Sequence, residues 1–396
     1  MNLPFVPNSV NANEVDPRFG ELLSFQIEKG KYLLSGIIKQ TYLLEDDGKC
    51  TPHPEMLPLV QDYEFYDPEE EEMLKQDADV YPFKQFTDLV IKGNANSPVP
   101  ASSFTVSVSV GKIKNAISVF GDRKAQLLNS GEIIFTPPEL LKSVPLRYDY
   151  AYGGTDYIVE LLSASTPEMH EVMDMLEPGD DPFSLSYTRY LRNPKGRGFV
   201  IGKFPEAFEN FLLPNLEDPE DLLNPERLIV NDPKKWYDLP IPRATDWLSI
   251  VWFPRIAYSG FLQPMDVNFK EVRRNWVEKD ILASKPESER SSIRFANGAS
   301  LGFQLPYLQP GETILLENIH PRISKFTLQL PKEYPEIWVD GRKGKLLPTK
   351  PVMHTVLIEP EEKRLSIVWS GIAPAIRPYH EMELKTMPFK VNWKSK

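Results

Sequence analysis

The chain has 396 residues, of which 41% are hydrophobic and 26% are charged, so it can bury the core of a sizeable globular protein. Its formal net charge of −11 argues against broad nucleic-acid binding, because such binding needs basic stripes on the surface. The single cysteine, Cys50, excludes an intramolecular disulfide and hence a disulfide-stapled secreted fold.

Proline is over-represented, since 38 prolines are close to twice the usual share of about 5%. We therefore expect many loops and short elements. The segment Met1–Gly20 lacks a basic region followed by an apolar one, so we expect no signal peptide. The apolar run Trp247–Phe253 is far shorter than the roughly 18 residues of a membrane-spanning helix. These features predict a cytoplasmic protein that does not insert into a membrane.

Branched and aromatic residues fill the segment Tyr32–Glu45, which is predicted to be a strand that ends at a hairpin-type turn, Asp46–Gly48. The acidic run Asp67–Glu72 follows. It is predicted to be a solvated loop or the start of a helix, and the alternative is a docking patch for a basic partner.

Apolar and hydroxyl side chains alternate strictly over Phe104–Val110. This period of two predicts a strand with an apolar face on a core. The other face, formed by Thr105, Ser107 and Ser109, is directed toward solvent or a partner. A further strand is predicted over Ala116–Phe120.

Two helices are predicted in the middle of the chain. Ser165 and Glu168 fit a capping box, and apolar side chains then recur at helical spacing at Met169, Val172, Met173 and Leu176. This methionine-rich stripe packs on the protein's own core or, as the alternative, accepts varied partners. The second helix is predicted over Phe269–Leu282.

Two hairpins are predicted near the C-terminus, one around Asp340-Gly341 and one that joins His354–Ile358 to Leu365–Trp369. The loop-like segment Ala283–Ser292 is the predicted seam between two units. Residues 1–290 are a β-rich body, with β-structure to about residue 150 and then a mixed segment, and residues 291–396 are a C-terminal β unit packed on it. The predicted fold class is mainly β (α+β), an antiparallel β-sandwich-like body with a few short helices and many proline-rich loops.

Few patterns indicate catalysis. The five histidines show no metal-ligand spacing, so no metal site is expected: His53, His170, His320, His354 and His380. The sequence has no nucleophile elbow, G-x-S-x-G. Cys50 precedes His53 by three residues, but a cysteine beside a turn is more often inert than catalytic. A carboxylate pair for glycoside hydrolysis stays open, because acidic residues are plentiful.

The segment Arg192–Phe199, RNPKGRGF, combines two glycines with three cationic side chains. A phosphate-binding loop needs G-x-x-x-x-G-K-[ST] between a strand and a helix, whereas these glycines are two apart and a strand-like run follows. The dinucleotide fingerprint G-x-G-x-x-G is missing as well. We therefore expect a glycine-enabled turn and no cofactor, with Arg192 and Arg197 held by acceptors inside the fold.

Nine segments occur in a characteristic order and spacing. They are GIIKQTYLL (Gly36–Leu44), DVYPFKQFTD (Asp79–Asp88), VIKGNANSPVP (Val90–Pro100), VSVGKIKNAISVFGDR (Val108–Arg123), RYDYAYGGTD (Arg147–Asp156), RNPKGRGF, LPNLEDP (Leu213–Pro219), WFPRIAYSG (Trp252–Gly260) and LLENIHP (Leu315–Pro321). Together they resemble the family called domain of unknown function 2169, whose bacterial members accompany type VI secretion systems. The resemblance spans about Val15 to Pro321 and continues more loosely to about Trp369.

The resemblance implies a framework of family residues: Lys39, Gly93, Gly121, Asp122, Arg123, Arg147, Gly153, Gly154, Asn193, Gly196, Arg197, Gly198, Asn215, Glu217, Trp252 and Arg255. The chain departs from the family pattern in two places. The family's ERAFGG is DYAYGG here, with Asp149 in an unexpected context. The family's FFNxAPxDQ is IRFANGASLGFQ (Ile293–Gln304) here, so a role carried by the missing aspartate does not transfer.

The resemblance also implies a non-enzymatic adaptor or chaperone that engages an effector, often one with a PAAR-repeat domain, and helps load it onto the VgrG spike. The candidate partner surfaces are the hydroxyl face of Phe104–Val110 and the stripe Met169–Leu176. Two alternatives stay open. A cytoplasmic hydrolase on a β scaffold predicts convergent carboxylates or a Ser/Cys–His pair in a deep pocket. A structural component of the spike or baseplate predicts symmetric oligomers.

Overall fold

The structure is a computed structural model that describes residues 16, 18–28, 31–159, 188–231, 236, 238–256, 296–340 and 345–396. The strands in these ranges are β1 (Gly20–Glu28), β2 (Lys31–Leu44), β3 (Cys50–Pro52), β4 (Glu64–Phe65), β5 (Leu74–Gln76), β6 (Thr87–Ile91), β7 (Asn94–Ala101), β8 (Ser103–Val110), β9 (Ile113–Phe120), β10 (Ala125–Leu127), β11 (Ile133–Phe135), β12 (Leu141–Pro145), β13 (Tyr152–Gly153), β14 (Arg197–Gly198), β15 (Leu216–Glu217), β16 (Gln304–Leu305), β17 (Thr313–Glu317), β18 (Lys325–Gln329), β19 (Glu333–Val339), β20 (Leu347–Pro348), β21 (Val352–Glu359), β22 (Arg364–Ala375) and β23 (Phe389–Ser395). They are accompanied by the 3₁₀ helices η1 (Tyr148–Tyr150), η2 (Pro205–Phe208) and η3 (Pro225–Arg227) and by the short α-helix α1 (Glu381–Leu384). The protein is mainly β, as predicted. In the part of the chain that the structure describes, the helices are too short or too polar to cross a membrane.

The largest sheet has the strand order β1-β2-β22-β21-β6-β16, and β3 also pairs with β2. Its neighbouring strands are antiparallel except β21 and β6, which are parallel. Strand β2 is buried at consecutive positions such as Ile37 and Ile38, so both of its faces are covered. The hairpins predicted after Tyr32–Glu45 and around the two C-terminal turns are confirmed as β2–β3, β19–β20 and β21–β22.

Strands from both ends of the chain lie side by side in this sheet. Strand β2 pairs with β22 along their length, from Tyr32 opposite Ala375 to Leu43 opposite Arg364. The predicted seam Ala283–Ser292 lies outside the described residues, so the division of the chain near residue 290 stays a prediction. The two predicted helices also lie outside the described residues.

A second, antiparallel sheet has the order β15-β9-β8-β17-β18. The strands predicted over Phe104–Val110 and Ala116–Phe120 are confirmed here as parts of β8 and β9. Buried side chains of β8, such as Val106 and Val108, share one hydrophobic cluster with Leu34 of the large sheet. The main core therefore joins the two sheets.

Short parallel steps continue the second sheet beyond β15. Leu216 forms a parallel bridge with Ala151, and the two residues after Ala151, which form β13, pair in parallel with β14. The glycine-rich segments around Gly153 and Gly198 therefore lie at the β15 end of this sheet.

Two glycines let the three-stranded sheet β20-β19-β23 approach the large sheet closely. Gly36 and Gly371 are directly opposite each other on β2 and β22. A Cβ atom at Gly36 would lie 2.8 Å from both Ile337 Cγ2 and Phe389 Cε2. The side chains of β19 and β23 thus occupy the space that larger residues would fill.

Candidate functional site

The segment Arg192–Phe199 closes against the segment Tyr148–Gly154. Backbone hydrogen bonds join them, from Gly154 N to Asn193 O at 2.8 Å and from Arg197 N to Ala151 O at 2.9 Å. We call these two segments, together with Leu213–Glu217, the glycine joint. Residues Arg197–Gly198 are a β-strand in this joint, whereas a phosphate-binding loop needs the N-terminus of a helix.

Buried Asn193 holds the glycine joint together. Its side-chain Nδ2 donates to Tyr148 O at 2.7 Å and to Tyr152 O at 3.0 Å. A Cβ atom at Gly153, whose φ is +149°, would lie 2.1 Å from Asn193 O. A Cβ atom at Gly196 would lie 2.6 Å from Ala151 O. The joint needs glycine at both positions because backbones meet there.

The arginines of this segment are held inside the fold. Arg197 donates to Asn215 Oδ1 at 2.8 Å and lies over the ring of Tyr150, 4.4 Å from its centroid. Arg192, which is buried, donates to Leu239 O and to Tyr190 OH, each at 3.2 Å. These contacts hold both arginines within the protein's own fold.

A buried ion pair connects the glycine joint to the segment that follows β9. Arg123 donates to Glu217 Oε1 and stacks on Phe120, with its guanidinium 4.0 Å from the ring centroid. The other carboxylate oxygen of Glu217 accepts from Leu223 N at 2.7 Å. These contacts fix the strand end at β15 to the segment that follows β9.

A second cluster of charged side chains lies inside the protein, and we call it the buried ion-pair network. It contains three ion pairs, Lys39–Asp79 at 2.6 Å, Lys84–Asp88 at 2.9 Å and Arg255–Asp77 at 3.2 Å, with side-chain exposures of 4% or less. At this depth each charge depends on its partner and on its hydrogen bonds for stabilisation.

Asp88 is the most heavily used carboxylate of this network. Besides Lys84, it accepts from Asn297 Nδ2 at 3.0 Å, Gly298 N at 2.9 Å and Ala299 N at 3.1 Å. The segment Asn297–Ala299 is therefore held to β6 by an asparagine side chain and two backbone N–H groups.

His354 is fully buried beside this network. Burial and the nearby charge of Lys84 hold the pKa of His354 well below its ordinary value, so its ring is neutral. Its Nδ1 lies 3.0 Å from Thr355 Oγ1, which also accepts from Lys84 at 3.1 Å. Across the described ranges, no three His, Cys, Asp or Glu side chains come close enough together to hold a metal ion.

The Cys50 thiol is a poor nucleophile. Burial, with a smaller contribution from Glu333, raises the pKa of Cys50 to about 12. Since the thiolate is the reactive form, little of it exists at neutral pH. This property disfavours the Cys50–His53 couple as a catalytic pair.

Asp246 is a buried carboxyl that titrates in an accessible pH range. It accepts from Tyr66 OH and from Trp247 N, each at 2.8 Å, and burial raises its pKa to about 6. Because its pKa is higher in the folded than in the unfolded protein, the Asp246 carboxyl contributes stability that is fully present at a pH below the pKa of the unfolded chain. This contribution is lost as the pH rises through about 6.

We expect Asp246→Asn to gain stability relative to the wild type as the pH rises. The gain between about pH 4 and about pH 8 should reach about 3 kcal/mol, because the shift of the pKa from 3.8 is about two units. Urea unfolding of both proteins at the two pH values measures it. A stability difference that is the same at both pH values would contradict the assignment.

The remaining framework residues occupy separate structural positions. Arg147 forms a bidentate pair with Asp149, at 3.0 and 2.5 Å, and lies over the Tyr66 ring. Trp252 is buried edge-on to Tyr148, with 5.6 Å between ring centroids. A Cβ atom would meet Glu139 O at Gly121 and Glu361 Oε2 at Gly93.

The framework thus falls into two groups and several single positions. The joint and its flank bring together Asp122, Arg123, Gly153, Gly154, Asn193, Gly196, Arg197, Gly198, Asn215 and Glu217. Lys39 and Arg255 belong to the buried ion-pair network instead.

Of the two predicted partner surfaces, the structure describes only the one on β8. On β8, Thr105 is exposed and Ser109 half-buried, whereas Ser107 is buried and donates to Glu317 Oε2 at 2.6 Å. The stripe Met169–Leu176 lies outside the described residues. Both surfaces stay predictions.

The acidic run Asp67–Glu72 is a loop between β4 and β5, and part of it is used internally. Glu70 and Glu72 lie 2.8 and 3.4 Å from Lys195 Nζ in the glycine joint, and Glu72 also pairs with Arg189 at 2.6 Å. The loop therefore already binds basic side chains.

Beside this loop lies an open groove of about 610 Å³, which we call the hairpin groove. It is lined by Asp62, Tyr63, Glu64, Phe65, Pro68, Glu71, Lys75, Ile250 and Val251. Sequence reasoning missed it, because its walls come from two segments that are far apart in the chain. The signals were present separately, as the acidic run and as the apolar run Trp247–Phe253.

Comparison with known proteins identifies the family. The profile of the family described as "uncharacterized protein conserved in bacteria" (DUF2169) matches residues 29–370. No curated protein and no solved structure matches the chain. The matched range covers most of the 396 residues and includes the glycine joint, the buried ion-pair network and the hairpin groove. This chain therefore belongs to the DUF2169 family.

Proposed function

We propose that this protein is a non-enzymatic adaptor that binds an effector of a type VI secretion system and helps load it onto the VgrG spike. The effector would carry a PAAR-repeat domain. The proposal is supported by membership of the family and by the nine segments that resemble its secretion-associated members. Such an adaptor acts in the cytoplasm, before the effector leaves the cell.

The observation that carries the proposal is how the charged residues of the family segments are used. Arg192, Arg197 and Arg123 are bound to acceptors of their own fold, and the three ion pairs of the network are buried. Residues used in this way contribute to one defined shape of the protein. A rigid body with a shaped surface is what a binding protein needs.

The hairpin groove supplies a surface suited to a protein partner. It is open to solvent, and its apolar side chains are contributed by both walls. A segment of a partner can lie in such a groove as a helix or an extended strand. When a segment of the effector is bound there, the adaptor would shield apolar surface of the effector until the spike covers that surface.

Deletion of the gene tests the loading step in cells. We expect the PAAR-containing effector to stop co-purifying with VgrG in the deletion strain and to be restored by the wild-type gene on a plasmid. Effector levels are measured in parallel, because an unshielded effector is also expected to be degraded. Unchanged association of effector and VgrG without the protein would refute the proposal.

A further inference from the structure

The floor of the hairpin groove is apolar and continuous with the main core. Tyr63, Phe65 and Ile250 pack against the core cluster on one side and line the groove on the other. Val251, which follows Ile250 and also lines the groove, is 39% exposed. A large apolar side chain that enters the groove would therefore remove Val251 from water and contact an already packed surface.

The groove walls are held in place by hydrogen bonds to the interior. Tyr63 OH lies 2.8 Å from Tyr81 OH, which accepts from Arg255 of the buried ion-pair network at 3.1 Å. On the same hairpin, Tyr66 OH donates to buried Asp246 at 2.8 Å. A groove fixed in this way loses little conformational entropy when a partner binds.

The rim of the groove is acidic. Asp62, Glu64 and Glu71 line it with a single cation, Lys75, whose Nζ lies 3.9 Å from Glu64 Oε2. Both side chains of that pair are more than half exposed, at 54% and 56%, so the pair is weak. The lining therefore keeps a net negative charge that favours a cationic partner.

Glu71 stands apart from its neighbours in the acidic run. Its φ of +49° is in the left-handed region, which glutamate seldom adopts. Glu70 and Glu72 contact Lys195, whereas Glu71 lines the groove. The loop thus divides its carboxylates between the protein's own basic residues and the groove.

We propose that the hairpin groove binds a segment of the partner in which one large apolar side chain is flanked by lysine or arginine residues. The apolar side chain lies on Tyr63, Phe65 and Val251, and the flanking cations face Glu64 and Glu71. This inference names the partner chemistry for the proposed adaptor function and rests on that function for the identity of the partner.

A peptide titration tests the groove independently of any effector. The probe is the labelled peptide Lys-Lys-Phe-Lys-Lys, and its counterpart has glutamate in place of every lysine. We expect the full-length protein to bind the basic peptide at least about tenfold more tightly than the acidic one, and less tightly as salt is raised. Equal affinity for the two peptides would overturn the inference.

Two groove variants and a matched control locate the binding. We expect Val251→Lys and the double variant Glu64→Lys/Glu71→Lys to lower the affinity for the basic peptide by about tenfold or more. Leu140→Lys makes the same type of change at a side chain that is 72% exposed and does not line the groove, and should bind like the wild type. Thermal unfolding of each variant confirms that it is folded. Unchanged peptide binding by both folded groove variants would overturn the inference.

The same variants separate this inference from the adaptor function. If the wild type and both groove variants co-purify equally with the effector, the groove inference is wrong and the adaptor function stands. If the wild type binds the basic peptide in the groove but not the effector, the adaptor function is wrong and the groove chemistry stands. Loss of the effector in the groove variants alone supports both.

Discussion

Replacing Lys84 with methionine is expected to lower the free energy of unfolding by about 3–5 kcal/mol. The substitution leaves the carboxylate of Asp88 buried without its cation, which lies 2.9 Å away in the native protein. It also removes the hydrogen bond from Lys84 to Thr355 at 3.1 Å and the charge that faces the Tyr81 ring. Chemical denaturation of both proteins at neutral pH measures the difference.

The exposed pair Glu381–Lys385 provides a matched control, since its two side chains are 77% and 64% exposed. We expect Lys385→Met to leave the free energy of unfolding nearly unchanged, because solvent screens the pair. The double variant Lys84→Met/Asp88→Asn should recover part of the loss, since it leaves no unpaired charge. Equal and small losses for Lys84→Met and Lys385→Met would show that the buried network is not a stabilising unit.

Replacing Gly153 with alanine is expected to destabilise the protein by about 3 kcal/mol, from backbone strain together with steric overlap. The φ of Gly153 is +149°, and the new Cβ atom would lie 2.1 Å from Asn193 O. Because Asn193 O belongs to the backbone, relief requires the whole Arg192–Phe199 segment to shift. We expect a lower thermal midpoint and faster proteolysis of that segment.

Substitution of Gly131 serves as a control that distinguishes the cost of backbone strain from the cost of steric overlap. Its φ is +81°, but nothing lies within 4 Å of a Cβ atom built there. Gly131→Ala should therefore cost only about 1 kcal/mol, the strain part alone. If the two glycine variants lose the same stability, close approach in the glycine joint does not matter and the joint is not an architectural element.

Local pattern was enough to predict much of the β-structure. The alternation over Phe104–Val110 and the turn residues between the last apolar runs specify strand and hairpin, because both signals act between near neighbours. The pairing of β2 with β22 and the parallel pairing of β21 with β6 join residues far apart in the chain. Such pairings cannot be predicted from the pattern of residues within one short segment of the sequence.

The site was harder to predict for a physical reason. Lysine and aspartate are ordinarily exposed, so nothing in the segment Asp79–Asp88 indicates that Lys84 and Asp88 are completely buried. The sequence predicts that the acidic run is a solvated loop. It does not predict that Lys195 contacts two carboxylates of that loop. The hairpin groove is likewise visible only after distant segments have come together.

The adaptor function is tested most directly by the mass of a purified complex. The protein is co-expressed with a candidate PAAR-containing effector from the same genome, and the product is analysed by size-exclusion chromatography with light scattering. We predict a stable complex that contains both the adaptor chain and the effector chain in a fixed ratio. A protein that elutes apart from the effector, or that forms symmetric oligomers without it, would contradict the proposed function.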